Sequence, residues 1–393
     1  MSDRPTVAML FGGQSAEHEV SVHSGRNVHT ALVEAGYPVV LIGIDEGGVW
    51  RLAPEVKLPE PDWPEVAMLP GRGGEILVLG AEQRKLTCDL VFPVLHGPNG
   101  EDGTVQGLLQ LAGVAFVGCG LFASALCMDK VFAKQQLAAA GLPVVKGLWF
   151  EREQALDYAA AVRELGTTLF VKPANMGSSV GVSKVEDAAG YAAALDRAFR
   201  HDGKVLVESF AKGREIECAV LSLDSLQASE LGEIVPTGGH GFYSYDAKYL
   251  DAEGAKLIFP AALSDAERAR ARDLAVAAAR AMGCEGMVRV DFFLTEDGDF
   301  LVNELNTIPG FTQISMYPKL WEISGVPPAK LVTHLVAHAL HRFSREAALE
   351  QVPEAYSRMM SNRSDLPSES CYTGLKHRAD SREQVIPTDR DLL

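Results

Sequence analysis

Apolar strand-like runs alternating with amphipathic stretches organise the first part of the chain. "TVAMLF" reads as a strand, Gly12 to Val20 as a loop, and Ser21 to Ala35 as a helix closed by Gly36 at the C′ position. "PVVLIGI" is a second strand. "DLVFPVL" is a continuous apolar run of the buried-strand type, followed by "HGPNGEDG" and a helix to Leu111. Strand–helix–strand order implies a parallel sheet. Ligands of such sheets sit beyond the carboxyl ends of the strands, and both unusual loops, "GGQSAEHEVS" and "HGPNGEDG", fall there.

A helix from Ser124 to Ala140, ended by Gly141, leads into a second unit. Its pattern predicts strands at "VVKGLWF", "LFVKP", "VGVSKV" and "KVLVESF", with helices near 152–165 and 187–200. A third unit opens near Arg214 with "EIECAVL". It contains the Gly/Tyr-rich "TGGHGFYSYDAKYLDAEG", a helix from Ser264 to Met282, a hairpin, and a helix near 327–343. The predicted domains are therefore 1–123, 124–213 and 214–344. Beyond Arg345, Ser, Arg, Asp, Glu and Pro replace apolar periodicity, so 345–393 is expected to be a disordered tail.

Composition narrows the class. A chain of 393 residues is too long for one core, and 47% hydrophobic content is enough to fill several. A formal charge of −16 lacks the basic footprint of a general nucleic-acid binder. No early run resembles a signal peptide, and no stretch approaches the ~20 apolar residues of a membrane helix. The cysteines (88, 119, 127, 218, 284 and 371) contain no CxxC pair, so neither a zinc knuckle nor a disulfide framework is expected, and a reducing cytoplasm is.

The hairpin "VDFFLTEDGDFLVNELN" poses a physical problem. Asp297-Gly298 is a two-residue turn signal. If Glu296 pairs with Asp299, or a symmetric four-residue loop intervenes, Asp291 faces Glu304 and Arg289 faces Asn306. Period-two alternation puts all four side chains on one face. Facing residues have Cβ atoms ~5 Å apart, and two carboxylates there repel by about 3 kcal/mol at an effective dielectric near 20. Either one carboxylate belongs to an ion-pair network with Arg289, or the oxygen-rich trio of Asp291, Glu304 and Asn306 holds Mg²⁺ with substrate phosphates.

A second stretch, "FVKPANMGSSVGVSK", sets a lysine at a strand end before a Gly/Ser-rich loop. Glycine lets backbone N–H groups approach anionic oxygens, and Lys172 supplies a point charge for phosphate. The plainer alternative is a hairpin loop with a surface lysine. No GxxxxGK[ST] loop occurs. Gly118, Gly120 and Ala123 match a dinucleotide fingerprint, but the acid expected ~20 residues later is replaced by "QLAAAG". His334, His338 and His341 share a helix face without HExxH, which suits a solvated face better than a metal site. GxSxG is absent. Phosphate cradle, lysines and acidic hairpin together indicate a nucleoside-triphosphate enzyme outside the P-loop class.

Eight segments in one order carry a more specific resemblance: "FGGQSAEHEVS", "HGPNGEDG", "MDK", "VKPANMGSSVGVSK", "GREIECAV", "FYSYDAKY", "VRVDFFL" and "NELNTIPGFTQISMYPKLW". From about 5 to 343 the chain resembles the D-alanine–D-alanine ligases of the ATP-grasp superfamily. The resemblance implies an α/β and α+β fold. An N-terminal parallel-sheet, Rossmann-like (preATP-grasp) domain would precede a two-subdomain ATP-grasp fold with ATP between the lobes. It further implies attack of a D-alanine carboxylate on the γ-phosphate to give an acyl phosphate. The amine of a second D-alanine then attacks that acyl carbon, for peptidoglycan precursor synthesis. Phosphoryl transfer of this kind needs positioning and charge neutralisation more than covalent help.

Carried over by motif, Glu17 would hold the ammonium of the first D-alanine in a triad with Ser178 and Tyr249, with His96 beside that substrate. Arg289 and the N–H of Gly310 would stabilise the tetrahedral oxyanion. Ser315 and Met316 would line the second subsite. Lys130, Lys172 and Lys248 would contact phosphates, and Ser179 would join the ATP site. Glu208 and Glu215 would contact adenine and ribose, walled by Phe242 and Phe293. Asp291, Glu304 and Asn306 would hold Mg²⁺, two ions by resemblance, with Mn²⁺ as a substitute. The resemblance also implies a homodimer. On the same scaffold, D-Ala–D-lactate or D-Ala–D-serine ligases and a catalytically inactive nucleotide-binding regulator are the alternatives. "TGGHG" before "FYSYDAKY" is longer than the family pattern, and the tail has no family counterpart.

Overall fold

The computed structural model describes residues 4–80, 84–237 and 254–349. The chain divides into Met1–Phe343 and Ser344–Leu393, and every sheet belongs to the first unit.

The N-terminal part contains β1 (Val7–Gly12), α1 (His18–Glu34), β2 (Val39–Ile44) and β3 (Trp50–Leu52). Next come β4 (Val66–Met68), β5 (Glu75–Val78), β6 (Arg84–Thr87), β7 (Leu90–Val94), α2 (Thr104–Ala112) and β8 (Ala115–Phe116). Its main sheet has the order β3-β2-β1-β7-β8, parallel throughout except for the edge strand β3. A small antiparallel sheet, β4-β5-β6, was not visible in the hydrophobic pattern because its strands are three or four residues long. The first helix begins at His18 rather than Ser21. Gly12 and Gly13 turn the chain at φ +89° and +101°, and the His18 ring folds back to within 2.7 Å of the Gly13 carbonyl, shortening the loop. A Cβ on Gly12 would lie 2.2 Å from the Ile44 carbonyl oxygen, so the close approach requires glycine.

The helix expected over 124–140 is two: α3 (Leu121–Met128) and α4 (Lys130–Ala139). Asp129 breaks them, leaving helical geometry at ψ 100° and accepting hydrogen bonds from the N–H groups of Val131 and Phe132. The apolar pattern runs through the break and conceals it. Then follow β9 (Gly147–Glu151), a 3₁₀ turn at Arg152–Gln154, α5 (Tyr158–Leu165), β10 (Leu169–Pro173), β11 (Ser183–Val185), α6 (Ala188–Ala198) and β12 (Lys204–Ser209). These strands form an antiparallel sheet in the order β11-β10-β12-β9. Asp157 caps α5, so the helix expected from 152 starts six residues later.

The last sheet, β15-β14-β13-β16-β17, is also antiparallel. It comprises β13 (Gly213–Ser222), β14 (Leu226–Pro236), β15 (Ala255–Ile258), β16 (Met287–Thr295) and β17 (Phe300–Asn306). Between β15 and β16, α7 (Asp265–Ala281) starts with a Ser264–Glu267 capping box and buries Ala271, Ala275, Ala278 and Ala279. Two helices end the described chain, α8 (Met316–Ile323) and α9 (Pro328–Ala347). The latter runs past its expected end near 343, since Glu346 and Ala347 are good helix formers although they add no buried face. The composition-based tail beyond Leu349 lies outside the described residues.

The hairpin β16–β17 has the expected face by a different route. Asp291 pairs with Glu304 and Arg289 with Asn306. Its loop, however, spans three residues between Thr295 and Asp299, with Gly298 at φ +85°. That one-residue shift is undone by a bulge, because Phe292 pairs with Val302 and leaves Asn303 unopposed. The bulge sits where β17 is pulled outward: the Val302 N–H donates to the Pro143 carbonyl at 2.8 Å.

One hydrophobic cluster joins Val7, Phe11 and Phe92 to Phe311, Tyr317, Trp321 and Leu335. The face of the parallel sheet covered by α1 thus packs on the segment following β17. This brings the loops at the carboxyl ends of β1 and β7 against the sheet β15-β14-β13-β16-β17.

Candidate active site

A cleft of about 930 Å³ opens where the parallel sheet meets the sheets β11-β10-β12-β9 and β15-β14-β13-β16-β17. It collects Glu17, His96, Lys130, Lys172, Ser178, Ser179, Glu208, Glu215, Arg289, Asp291, Phe293, Glu304, Asn306, Gly310, Ser315 and Met316. Every expected site residue within the described chain lines it. Phe242, Lys248 and Tyr249 lie outside the described residues.

The acidic face of the hairpin forms one wall. Arg289 donates to both oxygens of Asp291, Nε to Oδ1 and Nη2 to Oδ2, each at 2.7 Å, and lies 3.1 Å from Glu217. Asn306 Nδ2 donates to Asp291 Oδ2 at 3.0 Å, and Lys130 Nζ lies 3.4 Å from Glu304. Burial works against the Arg289 charge, but the carboxylates of Asp291 and Glu217 outweigh it and hold the guanidinium well above its usual range. The unrelieved repulsion expected between Asp291 and Glu304 is therefore not what this face holds: each carboxylate has its own cation.

The set still suits a hard divalent cation. Its donors are carboxylate and amide oxygens on one strand face, and three carboxylates (Glu217, Asp291, Glu304) stand against two cations (Arg289, Lys130). No group of three or more His, Cys, Asp or Glu residues with metal-ligating arrangement occurs among the described residues. His334 and His338 are half-buried and His341 exposed on α9.

Opposite the hairpin, Glu208 on β12 joins two lysines. Lys134 Nζ is 2.6 Å from its Oε1, and Lys172 on β10 pairs with Oε2. Burial would raise the Glu208 pKa, yet the two ammonium groups reverse the sign and keep it ionised. Burial, with Lys172 nearby, lowers that of Lys134. Lys134 also reaches the carbonyl of the bulged Asn303 at 3.3 Å, tying α4 to the hairpin. The carboxylate of Glu208 is thus held between two lysines at the wall of the cleft.

The Gly/Ser loop after β10 approaches the N-terminal loops directly. The Ser178 hydroxyl donates to Glu17 Oε1, and Ser178 and Ser179 adopt φ +50° and +58°. Lys130 Nζ donates to the Met176 carbonyl at 2.7 Å, at the edge of the same loop. His96 is buried, with Nδ1 2.9 Å from the Ile308 carbonyl and Nε2 2.9 Å from the Ser24 hydroxyl, and burial lowers its pKa. Next to it, burial and then the charge of Glu17 push the Glu101 carboxyl up to about 8.

Lys134, Glu101 and Glu217 were not singled out by pattern. Glu101 lies inside "HGPNGEDG" and Glu217 alternates with Glu215 along β13, so a period-two reading could have placed Glu217 on a strand face. Lys134 sits in an ordinary amphipathic helix and carried no signal.

Residues 6–119 match the family model described as D-ala D-ala ligase N-terminus, and residues 136–337 match D-ala D-ala ligase C-terminus. The chain is 50% identical over 358 residues to a D-alanine–D-alanine ligase of Bradyrhizobium sp. (strain ORS 278), covering 88% of this chain and 97% of that one. It is 45% identical over 358 residues to D-alanine–D-alanine ligase A of Escherichia coli (strain K12), covering 88% and 98%. Among solved structures, the D-alanine-D-alanine ligase from Coxiella burnetii superposes with a TM-score of 0.81 at 35% identity, over 91% of this chain and all of that one. The VanG D-Ala:D-Ser ligase from Enterococcus faecalis gives 0.76 at 36%, over 86% and 100%.

Proposed function

The chain belongs to the D-alanine–D-alanine ligase family, and from that premise we infer how its cleft joins two D-alanines at the expense of ATP, releasing ADP and phosphate. The observation that carries the assignment of sides is the hairpin register. It sets Arg289, Asp291, Glu304 and Asn306 on one face of a cleft whose opposite walls hold Lys172 and Glu17.

The nucleotide lies between the sheets β11-β10-β12-β9 and β15-β14-β13-β16-β17, with Lys130, Lys172 and Ser179 toward its phosphates and Phe293 along its length. Asp291, Glu304 and Asn306 would hold Mg²⁺, with Mn²⁺ as a substitute, which when bound neutralises charge on the transferring phosphoryl group. Glu17, oriented by Ser178, takes the ammonium of the first D-alanine, so that its carboxylate faces the phosphate. Ser315 and Met316 shape the second subsite. As the second amine attacks the acyl carbon, negative charge develops on the carbonyl oxygen, and the Arg289 guanidinium with the Gly310 N–H stabilises it. A donor already in place costs no reorganisation at that moment, which is why such groups contribute strongly.

A cytoplasmic location is supported by the need for ATP and by five buried thiols, Cys88, Cys119, Cys127, Cys218 and Cys284, none in a disulfide. No helix among the described residues is long and apolar enough to cross a membrane. The homodimer implied by the sequence resemblance is open to sedimentation.

The likeness to a D-Ala:D-Ser ligase makes the second substrate the point to test. Phosphate release from Mg·ATP should be followed with D-alanine alone and with D-alanine plus D-serine or D-lactate, and products identified by mass. D-Ala-D-Ala as the main product in each mixture is expected. No D-alanine-dependent phosphate release, or a mixed product in excess, would overturn the assignment.

A further inference from the structure

The turn that carries Gly310 is held from both sides by the N-terminal part of the chain. Ile308 uses both backbone groups: its carbonyl accepts from His96 Nδ1 at 2.9 Å, and its N–H donates to Glu101 Oε1 at 3.2 Å. Phe311 does the same. Its N–H donates to the Ser24 hydroxyl at 3.1 Å, and its carbonyl accepts from Asn27 Nδ2 at 2.7 Å. Between these two clamped residues stand Pro309, which has no N–H, and Gly310. The N–H of Gly310 is thus the one donor of the turn that the clamp leaves for the cleft.

The hydrogen-bond polarity is set along the whole chain of contacts. A neutral His96 has one donor and one acceptor nitrogen. With Nδ1 donating to Ile308, Nε2 must accept, and the group facing it at 2.9 Å is the Ser24 hydroxyl. Ser24 spends its proton there and its lone pair on the Phe311 N–H. Glu101 Oε2 takes the N–H of Gly97 at 2.8 Å, which anchors the far end to the loop after β7. Ser15 extends the chain toward the substrate side. Its hydroxyl donates to the His96 carbonyl at 2.8 Å and accepts from the Glu17 N–H at 3.1 Å. Ser24 and His96 are buried, so water is a poor substitute partner for either.

We propose that Ser24 and Glu101 are positioning residues for the ligation step. Through His96 and directly, they grip Ile308 and Phe311 on either side of Gly310 and aim its N–H at the oxyanion. Neither residue touches a reacting atom. This rests on the assignment of Gly310 as an oxyanion donor, and the two ideas fail separately. Ser24→Ala deprives His96 Nε2 of its donor and Phe311 of its acceptor. Glu101→Gln is isosteric, but its NH₂ group cannot accept from either backbone N–H. A misaimed donor should cost less than a lost one, for which roughly 10²–10³ in kcat is typical, so each variant should lose about 10- to 100-fold.

The test measures kcat, the KM for ATP, and inhibition by a phosphinate dipeptide whose tetrahedral P–O⁻ stands where the oxyanion forms. A third protein carries an ester in place of the 310 amide, introduced as the α-hydroxy acid, which removes that N–H alone. Expected in both variants are a fall in kcat, a phosphinate affinity weakened by the same factor, and a KM for ATP within about twofold of the parent, because only transition-state contacts are lost. Parent-like phosphinate binding in the variants, with weakened binding in the ester protein, overturns the clamp and keeps Gly310. Parent-like binding in the ester protein overturns Gly310 and the clamp with it. A loss of ATP affinity equal to the loss of phosphinate affinity marks general loosening and also overturns the proposal.

Discussion

Asp291→Asn and Glu304→Gln each remove one charge from facing positions of a single hairpin, yet they should affect the ligand-free protein differently. Asp291 is held by two 2.7 Å bonds from Arg289, with side chains 13% and 18% exposed. Breaking one partner out of a buried pair costs about 3–5 kcal/mol. Here Glu217 stays 3.1 Å from the guanidinium, and the asparagine carbonyl still accepts. The net loss should be about 2 kcal/mol. Glu304 meets Lys130 at 3.4 Å and its side chain is 27% exposed, while Lys130 keeps the Met176 carbonyl at 2.7 Å. That change should cost about 0–1 kcal/mol. Urea denaturation of the two variants and the parent, with and without saturating Mg·ATP, checks both figures. A ligand that binds only the native state adds RT ln(1 + [L]/Kd), about 2.7 kcal/mol at a hundredfold excess over Kd. The increment should be near full in the parent and shrink in both variants if, as proposed, both residues hold the metal–nucleotide pair. Equal ligand-free stabilities for the two variants would refute the ion-pair account of this face. A full Mg·ATP increment in either would refute its metal role.

Three further outcomes follow from other parts of the chain. Lys134→Met leaves Glu208 with Lys172 alone in a buried setting; stability should fall by about 3 kcal/mol and the KM for ATP rise by about tenfold as Lys172 is drawn to the acid, seen in melting curves and initial rates. Truncation after Leu349 should leave turnover within about twofold of the full chain, since both family matches and every described cleft residue lie before it. Glu101 titrates near 8 when folded against the ordinary 4.5. Its contribution to stability is therefore fully present below about pH 4.5 and lost as pH rises through about 8, so the parent's urea midpoint should fall across that window relative to Glu101→Gln and run parallel to it above.

Much of the fold was legible because it is local. The parallel N-terminal sheet followed from buried apolar runs, and α7 from its Ser264–Glu267 box. What escaped depended on partners distant in sequence. Asp129 splits a helix whose apolar pattern runs on without interruption, and it does so by capping and by an ion pair with Lys204. The hairpin face was right although both its turn and its ladder were misread, because the three-residue loop and the bulge at Asn303 cancel. Residue identity marked Asp291 and Glu304, but Lys134 and Glu217 declare themselves only when α4 and β13 are laid beside the hairpin.

Those partners change the electrostatic picture of the cleft. Arg289 rests on Asp291 and Glu217, Lys130 on Glu304, and Lys134 and Lys172 share Glu208. These eight groups balance, four cations against four carboxylates. A cluster of cations in a half-buried site would otherwise repel itself, and burial already lowers the Lys134 pKa. The internal carboxylates offset that repulsion. If Lys130 and Lys172 then turn to phosphate, binding exchanges one anion for another and does not bring bare charge into a low-dielectric cleft. The desolvation cost has in large part been met during folding, at the expense of some affinity because each lysine must leave a partner. Arg289 differs from the lysines in having two acids. If a metal were to take Asp291, Glu217 would remain 3.1 Å from the guanidinium and hold it for the oxyanion role proposed for it.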